Sequence, residues 1–292
     1  MQSLTRIFTL LPLVLITHTY CADSAQTKHT RKKELSTNTS KNTQQKITTV
    51  IFDLPDVLFQ QSKTAFAQKV GLGKLTKYAL FNWSNPETTC LHALHTISSQ
   101  ESGQPSVPLL LRDKKMPCCI INWQLGQKSH TQAYHELKQQ VEMLAQKNHF
   151  KNNQEKELVL RMLDVGIDPQ HLNDIVKPAT AMIELVKELK SRNYKVIILS
   201  NLAQEQYDLF HKTYPKITQL FDDIVVSSQV KILKPNKEIY QHLLKTHGLT
   251  AQECVYIDNQ KDNIESAQQQ GMQSISHKNI RATRTSLAKL GV

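Results

Sequence analysis

A short β-rich run that ends on an acid constrains this chain more than any other feature. It lies in Thr48-Thr49-Val50-Ile51-Phe52-Asp53-Leu54-Pro55-Asp56-Val57-Leu58-Phe59. Val50, Ile51 and Phe52 form a continuous apolar segment, as expected of a strand buried on both faces. Asp53 then stands at its carboxyl end, where open α/β sheets place their chemistry. Asp also favours turns, so capping of the next turn is the alternative role for this side chain.

Three later segments repeat the pattern. Val196-Ile197-Ile198-Leu199 ends on Ser200-Asn201, and Cys254-Val255-Tyr256-Ile257 ends on Asp258-Asn259. Between them, Lys231-Ile232-Leu233-Lys234-Pro235 opens a helix-like stretch. An acid at residue 258, facing Asp53 across the strand ends, makes a hard-oxygen site suited to Mg²⁺.

The order Asp, Ser, Lys-Pro, Asp resembles that of the haloacid dehalogenase-like (HAD) hydrolases. Their first motif usually reads Asp-Leu-Asp-Gly-Val-Leu, against Asp53-Leu54-Pro55-Asp56-Val57-Leu58 here. The fourth is similar through Tyr256-Ile257-Asp258-Asn259, Asn263-Ile264-Glu265-Ser266-Ala267 and Gly271-Met272. The resemblance covers the start of the folded region and most of the chain after Pro178. The middle matches in length and helical character alone.

That resemblance implies an α/β three-layer sandwich, with a parallel Rossmann-like sheet and an inserted helical cap. It also implies a Mg²⁺-dependent phosphatase of a small phosphorylated metabolite, working through an aspartyl-phosphate. Asp53 would be the nucleophile. Ser200 and Asn201 would donate to a phosphate oxygen, and Lys234 would steady nucleophile and phosphoryl group. Asp53, the Pro55 carbonyl and Asp258 would hold the metal.

The first motif departs from the family pattern. The second acid, two residues after the nucleophile, protonates the leaving oxygen and then activates water, but Pro55 stands there. Loss of a general acid–base costs about 10²–10⁴ in rate. Proline also lacks the N–H that helps hold the phosphoryl group. Asp56 is a candidate replacement, since the chain turns here. The Asp258-Asn259 pair differs from the common double Asp. Two further readings therefore stand beside the phosphatase: a catalytically degenerate HAD-fold binding protein, and a carbon–halogen hydrolase like the 2-haloacid dehalogenases, which need no such acid.

The N-terminus has its own character. Ile7 to Ile16 is mostly apolar behind one positive charge, and reads as a signal peptide over residues 1–21. An uncleaved membrane anchor is the alternative, so export to the periplasm or outside is expected. Residues 22–46 are polar and expected to be a disordered tether. Lys and Arg number 36 against 25 Asp and Glu, a net charge of +11. No Arg-rich helix or aromatic-interleaved basic strip accompanies this charge, so no specific nucleic-acid partner is expected. An exported protein could pair Cys90 with Cys118 or Cys119, but no disulfide framework is expected, since Cys254 opens a buried strand where a free thiol is ordinary, and the cysteine spacing does not suggest zinc ligation.

The core is expected over 47–60 and 176–277, with the helical cap at 61–175 and a tail at 278–292. Within the cap, helices are expected at Lys63 to Ala79, Thr88 to Ile97, Thr131 to Gln146 and Gln154 to Leu163, with a loop at Glu101 to Pro108. Specificity should reside here, with Asn122-Trp123-Gln124-Leu125-Gly126 the segment to probe. His92, His95, His130 and His135 read as surface residues, and Trp83 and Trp123 as packing between cap and core. Pro178 is expected to start a helix, Pro235 to open another running to Leu244, and Asn263 to cap or orient the helix after Asp258.

Overall fold

The protein is described by a computed structural model covering residues 46–71, 73, 75, 86–101, 110–111 and 114–292. The segment expected as a signal peptide, nearly all of the expected tether, Trp83 and the loop to Pro108 fall outside the described residues.

Strand β1 (Thr49–Phe52) is buried along its whole length. It is followed by β2 (Phe59–Gln61), α1 (Lys63–Val70), α2 (Pro86–Gln100), β3 (Leu110–Leu111), β4 (Lys114–Lys115), α3 (Cys118–Gln124), α4 (His130–Gln146), α5 (Asn153–Ile167) and α6 (Pro169–Ile175). Then come β5 (Val176–Pro178), α7 (Thr180–Ser191), β6 (Lys195–Ser200), α8 (Gln204–Thr213), α9 (Pro215–Thr218), β7 (Asp223–Val226) and α10 (Ser227–Val230). The chain ends with α11 (Lys237–His247), β8 (Cys254–Asp258), α12 (Lys261–Gln269), β9 (Gln273–Ser276) and α13 (Ile280–Lys289).

The main sheet has five strands in the order β7-β6-β1-β8-β9. Every pairing is parallel. β1 lies in the middle, so the chain crosses to either side of it, which makes its carboxyl end the topological switch point. The alternation of side chains along each strand then builds two cores. Val50, Phe52, Val196, Ile198, Val255 and Ile257 pack with Met182, Val186 and Leu189 of α7. Ile51, Ile197, Leu199 and Tyr256 pack on the other face with Ile239, Tyr240 and Leu243 of α11 and Ile264 of α12. The result is the expected three-layer α/β sandwich.

The helices between β2 and β5 bury an apolar cluster of their own, around Phe66, Leu94, Trp123, Leu137, Val141 and Met162. The antiparallel ribbon Phe59↔Pro178, Gln60↔Lys177, Gln61↔Val176 draws the two ends of this insert together. α4 carries a full capping box, with Ser129 accepting from the Gln132 N–H and the Gln132 side chain accepting from the Ser129 N–H.

Three local expectations are corrected. Pro178 closes β5 rather than opening a helix, and α7 starts at Thr180. The helix after Lys234-Pro235 starts two residues later, at Lys237, because Asn236 supplies the cap by accepting from the Glu238 N–H. Residues 278–292 are not a tail. They contain α13, which buries Leu287 in the sheet's core and Thr283 beneath His277.

Candidate active site

The register of the sheet fixes the first two acids. Thr49 to Phe52 pair with Cys254 to Ile257, and the Asp53 N–H donates to the Ile257 carbonyl at 2.9 Å. Asp53 and Asp258 thus leave neighbouring strands at the same level. Both are almost wholly buried, at 2% and 0% exposure.

Lys234 joins them. Its ammonium lies 2.8 Å from Asp53 Oδ1 and 3.0 Å from each of Asp258 Oδ2, the Tyr256 hydroxyl and the Leu199 carbonyl. Lys234 is only 2% exposed. A charge this deep needs pairing, and two carboxylates supply it. Burial alone would lower the Lys234 pKa, but Asp258 and Asp53 outweigh burial and hold it above its ordinary value. The loop that delivers Lys234 is fastened by Asn201. Its Nδ2 donates to the Lys234 carbonyl at 3.0 Å, and its Oδ1 accepts from the Lys234 N–H at 2.8 Å.

Asp53 differs from Asp258 in what remains for chemistry. Both donors to Asp53, Lys234 and the Leu54 N–H at 2.8 Å, fall on Oδ1, which leaves Oδ2 for other work. Burial and then the Asp258 charge push the Asp53 carboxyl up to about 7, against the pull of Lys234. Asp258 is committed on both oxygens. Oδ2 accepts from Lys234, the Tyr256 hydroxyl and Asn263 Nδ2, and Oδ1 accepts from the Gln260 N–H at 2.7 Å. Asn263, expected as a helix cap, lies inside α12 and orients Asp258 instead.

Ser200 ends β6, where its hydroxyl is fully buried with no hydrogen-bond partner. Such a group is costly unless something else fills the gap. The Asn201 side chain is spent on the Lys234 backbone, so what it can offer a ligand is its main-chain N–H.

Residues 54–59 turn tightly. The Leu58 and Phe59 N–H groups both donate to the Leu54 carbonyl, and the Asp56 N–H to the Phe59 carbonyl at 2.7 Å. Asp56 has φ +55°. It stands where the family motif has glycine, and Asp is one of the few residues that tolerate this left-handed conformation. Its Oδ2 lies 3.5 Å from Asn259 Nδ2. The Asn259 amide oxygen is buried without a partner. Among the described residues, no group of three or more His, Cys, Asp or Glu side chains is gathered to hold a metal. The oxygens here are of the right kind for a hard cation all the same: Asp53 Oδ2, the Pro55 carbonyl and the unsatisfied amide oxygen of Asn259.

Residues 120–276 match the family model described as haloacid dehalogenase-like hydrolase. The chain belongs to that family. Among curated relatives, it is similar to the sesquiterpene phosphatase astK of Aspergillus oryzae, 28% identical over 115 residues, covering 39% of this chain and 58% of that protein. It is similar also to the glyceraldehyde 3-phosphate phosphatase of Methanocaldococcus jannaschii, 30% identical over 100 residues, covering 34% and 43%. The chain thus spans less than two thirds of the length of these relatives. In fold it is similar to a HAD family enzyme of Bacteroides thetaiotaomicron, with TM-score 0.51 and 17% identity, covering 80% of this chain and 95% of that one. The same enzyme has been crystallised with magnesium and inorganic phosphate.

Two residues of this HAD-like hydrolase, Tyr256 and His277, touch the site without having been expected there. Tyr256 is signalled by its spacing, two residues before Asp258 on the same face of β8. His277 gives no sequence signal. Its N–H donates to the Asp258 carbonyl at 2.7 Å, its Nδ1 lies 2.8 Å from the Thr283 hydroxyl, and burial lowers its pKa. The segment Asn122–Gly126 reaches the core. The Gln124 carbonyl accepts from Ser227 Oγ at 2.7 Å and the Gly126 carbonyl from Lys231 Nζ at 2.9 Å. Gly126 has φ +63°, and a Cβ there would meet the Ser228 carbonyl at 2.8 Å. Trp123 is fully buried and donates to Glu205 Oε2 at 3.1 Å, while Glu205 Oε1 accepts the His130 N–H at 2.8 Å. Cys90, Cys118, Cys119 and Cys254 are free thiols.

Proposed function

We propose that this HAD-like hydrolase is a phosphatase of a small phosphorylated molecule. The observation that carries the reading is Lys234, buried and shared between Asp53 and Asp258 while Asp53 keeps one oxygen outside its grip. A lone pair of Asp53 Oδ2 forms the new O–P bond, and the P–O bond to the leaving group breaks with its electrons passing to the leaving oxygen. Water then hydrolyses the aspartyl-phosphate. Lys234 holds the carboxylate in place and offsets charge gathering at phosphorus, and Ser200 Oγ supplies a donor with no competing partner.

Magnesium fits the donor chemistry, with Asp53, the Pro55 carbonyl and Asn259 as ligands. When bound, a divalent cation screens the carboxylate from the phosphate and polarises a phosphoryl oxygen. Asp258, expected as a ligand, serves in this proposal as the buried counter-charge that positions Lys234. The helical insert acts as the cap that selects substrate. The segment Ile7 to Ile16 is the support for export of the protein.

The test is hydrolysis of an aryl phosphate by the full chain, with and without magnesium, beside Asp53→Asn. Activity in the native protein and its loss in the variant are expected. Pro55, without an acid or an N–H, favours a second reading in which the site binds a phosphorylated ligand without turnover. Binding of such a ligand with no hydrolysis across a broad panel of phosphates would decide for it.

A further inference from the structure

A pocket of about 70 Å³ shares Pro55 with the proposed site. Its walls come from three places. Leu54 and Pro55 immediately follow the nucleophile, Leu202 immediately follows Asn201, and Leu172, Val176 and Phe210 come from the end of the insert and from α8. Among the described residues no charged side chain lines it. Its three polar members, Asn173, Gln206 and Tyr214, each have one group engaged, which leaves the amide N–H₂ groups of Asn173 and Gln206 as the side-chain donors on the wall. Asn173 Oδ1 accepts from the Thr213 hydroxyl at 3.1 Å, the Tyr214 hydroxyl donates to the Val176 carbonyl at 3.3 Å, and Gln206 Oε1 accepts from the Ala203 N–H at 3.0 Å.

A polyhydroxylated ligand would find few partners against a wall in which eight of the eleven lining residues are apolar, because a hydroxyl buried without a hydrogen bond is penalised while a buried methylene is favoured. Size narrows the choice further. A cavity of roughly 150 Å³ holds benzene, so this one, about half that size, takes a branch of about three carbons. Position completes the case. Pro55, which lines the pocket, stands two residues after Asp53 and offers its carbonyl to the proposed metal, so pocket and site meet at this residue.

Building on the phosphatase reading, we infer that the leaving group is a compact hydrocarbon: the substrate is a phosphate monoester of a short, branched, apolar alcohol, not a sugar phosphate or a nucleotide. In the reaction, the alcohol's carbon–oxygen bond stays intact. The P–O bond breaks, the alkoxide oxygen takes a proton from water, and the hydrocarbon remains in the pocket until release. Pro55 contributes to the wall a ring that an acidic side chain would have made polar.

The experiment compares 3-methylbutyl phosphate with glycerol 1-phosphate on the full chain, and 3-methylbutylphosphonate with methylphosphonate by calorimetry. Native protein should favour the branched ester in kcat/KM by about tenfold or more, and bind the branched phosphonate more tightly by a similar factor. Leu209→Trp narrows the pocket from its lining. It should reduce both preferences about tenfold while leaving the melting temperature unchanged. Leu209→Ala, which enlarges the pocket, should shift the preference toward longer chains. Tighter binding of the branched phosphonate with no turnover of any ester would support the pocket and overturn the phosphatase reading. Equal kcat/KM for the two esters, with equal affinity for the two phosphonates, would overturn the pocket and leave the phosphatase reading standing.

Discussion

Replacing Lys234 by Met tests the arrangement on which the site rests. The ammonium is 2% exposed and touches two carboxylates at 2.8 and 3.0 Å. Methionine keeps most of the volume and removes the charge, so two acids remain buried side by side without a counter-ion. Breaking a buried ion pair by removing one partner costs about 3–5 kcal/mol. The urea slope rises with size and is about 3 kcal/mol per M for a chain this long, so the unfolding midpoint should fall by about 1–2 M at pH 8. The deficit should also depend on pH. Asp53 is already pushed up to about 7 with Lys234 present. Without the ammonium the folded pair holds a proton to higher pH than the unfolded chain does. The folded state then binds more protons than the unfolded state, so its stability falls as pH rises. The loss should therefore be largest at pH 8 and smallest near pH 5. Lys234→Met/Asp258→Asn removes one of the two stranded charges and should recover a large part of it. A midpoint shift below 0.3 M, or one equal at pH 5 and pH 8, would refute the reasoning.

Further outcomes follow from other parts of the molecule. Pro55→Asp should raise phosphate-ester hydrolysis by about 10²–10⁴, read as kcat/KM on an aryl phosphate; no gain would show that Asp56 or water already does the acid's work. Trp123→Phe removes the indole donor to Glu205, and should destabilise the protein by about 1.5–3 kcal/mol in chemical denaturation, as for a hydrogen bond to a charged group. His277 is held below its ordinary pKa by burial, so the unfolded state binds the extra proton and stability should decline as pH falls below about 6.5. His277→Gln should flatten that acid limb, and an unchanged pH profile of melting temperature would contradict the assignment. Ser200→Ala should leave stability intact or slightly raised, since the hydroxyl has no partner to lose, while weakening phosphate binding.

Local sequence carried the strands well, because burial on both faces leaves an unbroken apolar run. Val50 to Phe52 and Cys254 to Ile257 announce themselves in this way, as does the acid that ends each. The helix boundaries at Pro178 and Pro235 were less legible. Proline suits the start of a helix and the end of a strand alike, and what decided between them was the partner strand β2 in one case and the Asn236 cap in the other. The expectation of a tail at 278–292 fails on one helical face. Helix α13 forms because one face, carrying Thr283 and Leu287, finds the core.

Short-range periodicity and motif spacing set out four chemistry-bearing segments in order, three at the ends of apolar runs (Asp53, Ser200, Asp258) and one, Lys234, ahead of a helix. Tertiary structure alone decided how those residues divide the work. Lys234 reaches Asp53 across 181 positions of chain, and that contact settles which carboxylate oxygens are consumed and which stay available. The saturation of Asp258, the unsatisfied oxygens of Ser200 and Asn259, and the apolar wall beside Pro55 follow from the same cause. A donor or acceptor is satisfied by whatever folding brings within about 3 Å of it, and no local pattern encodes that distance.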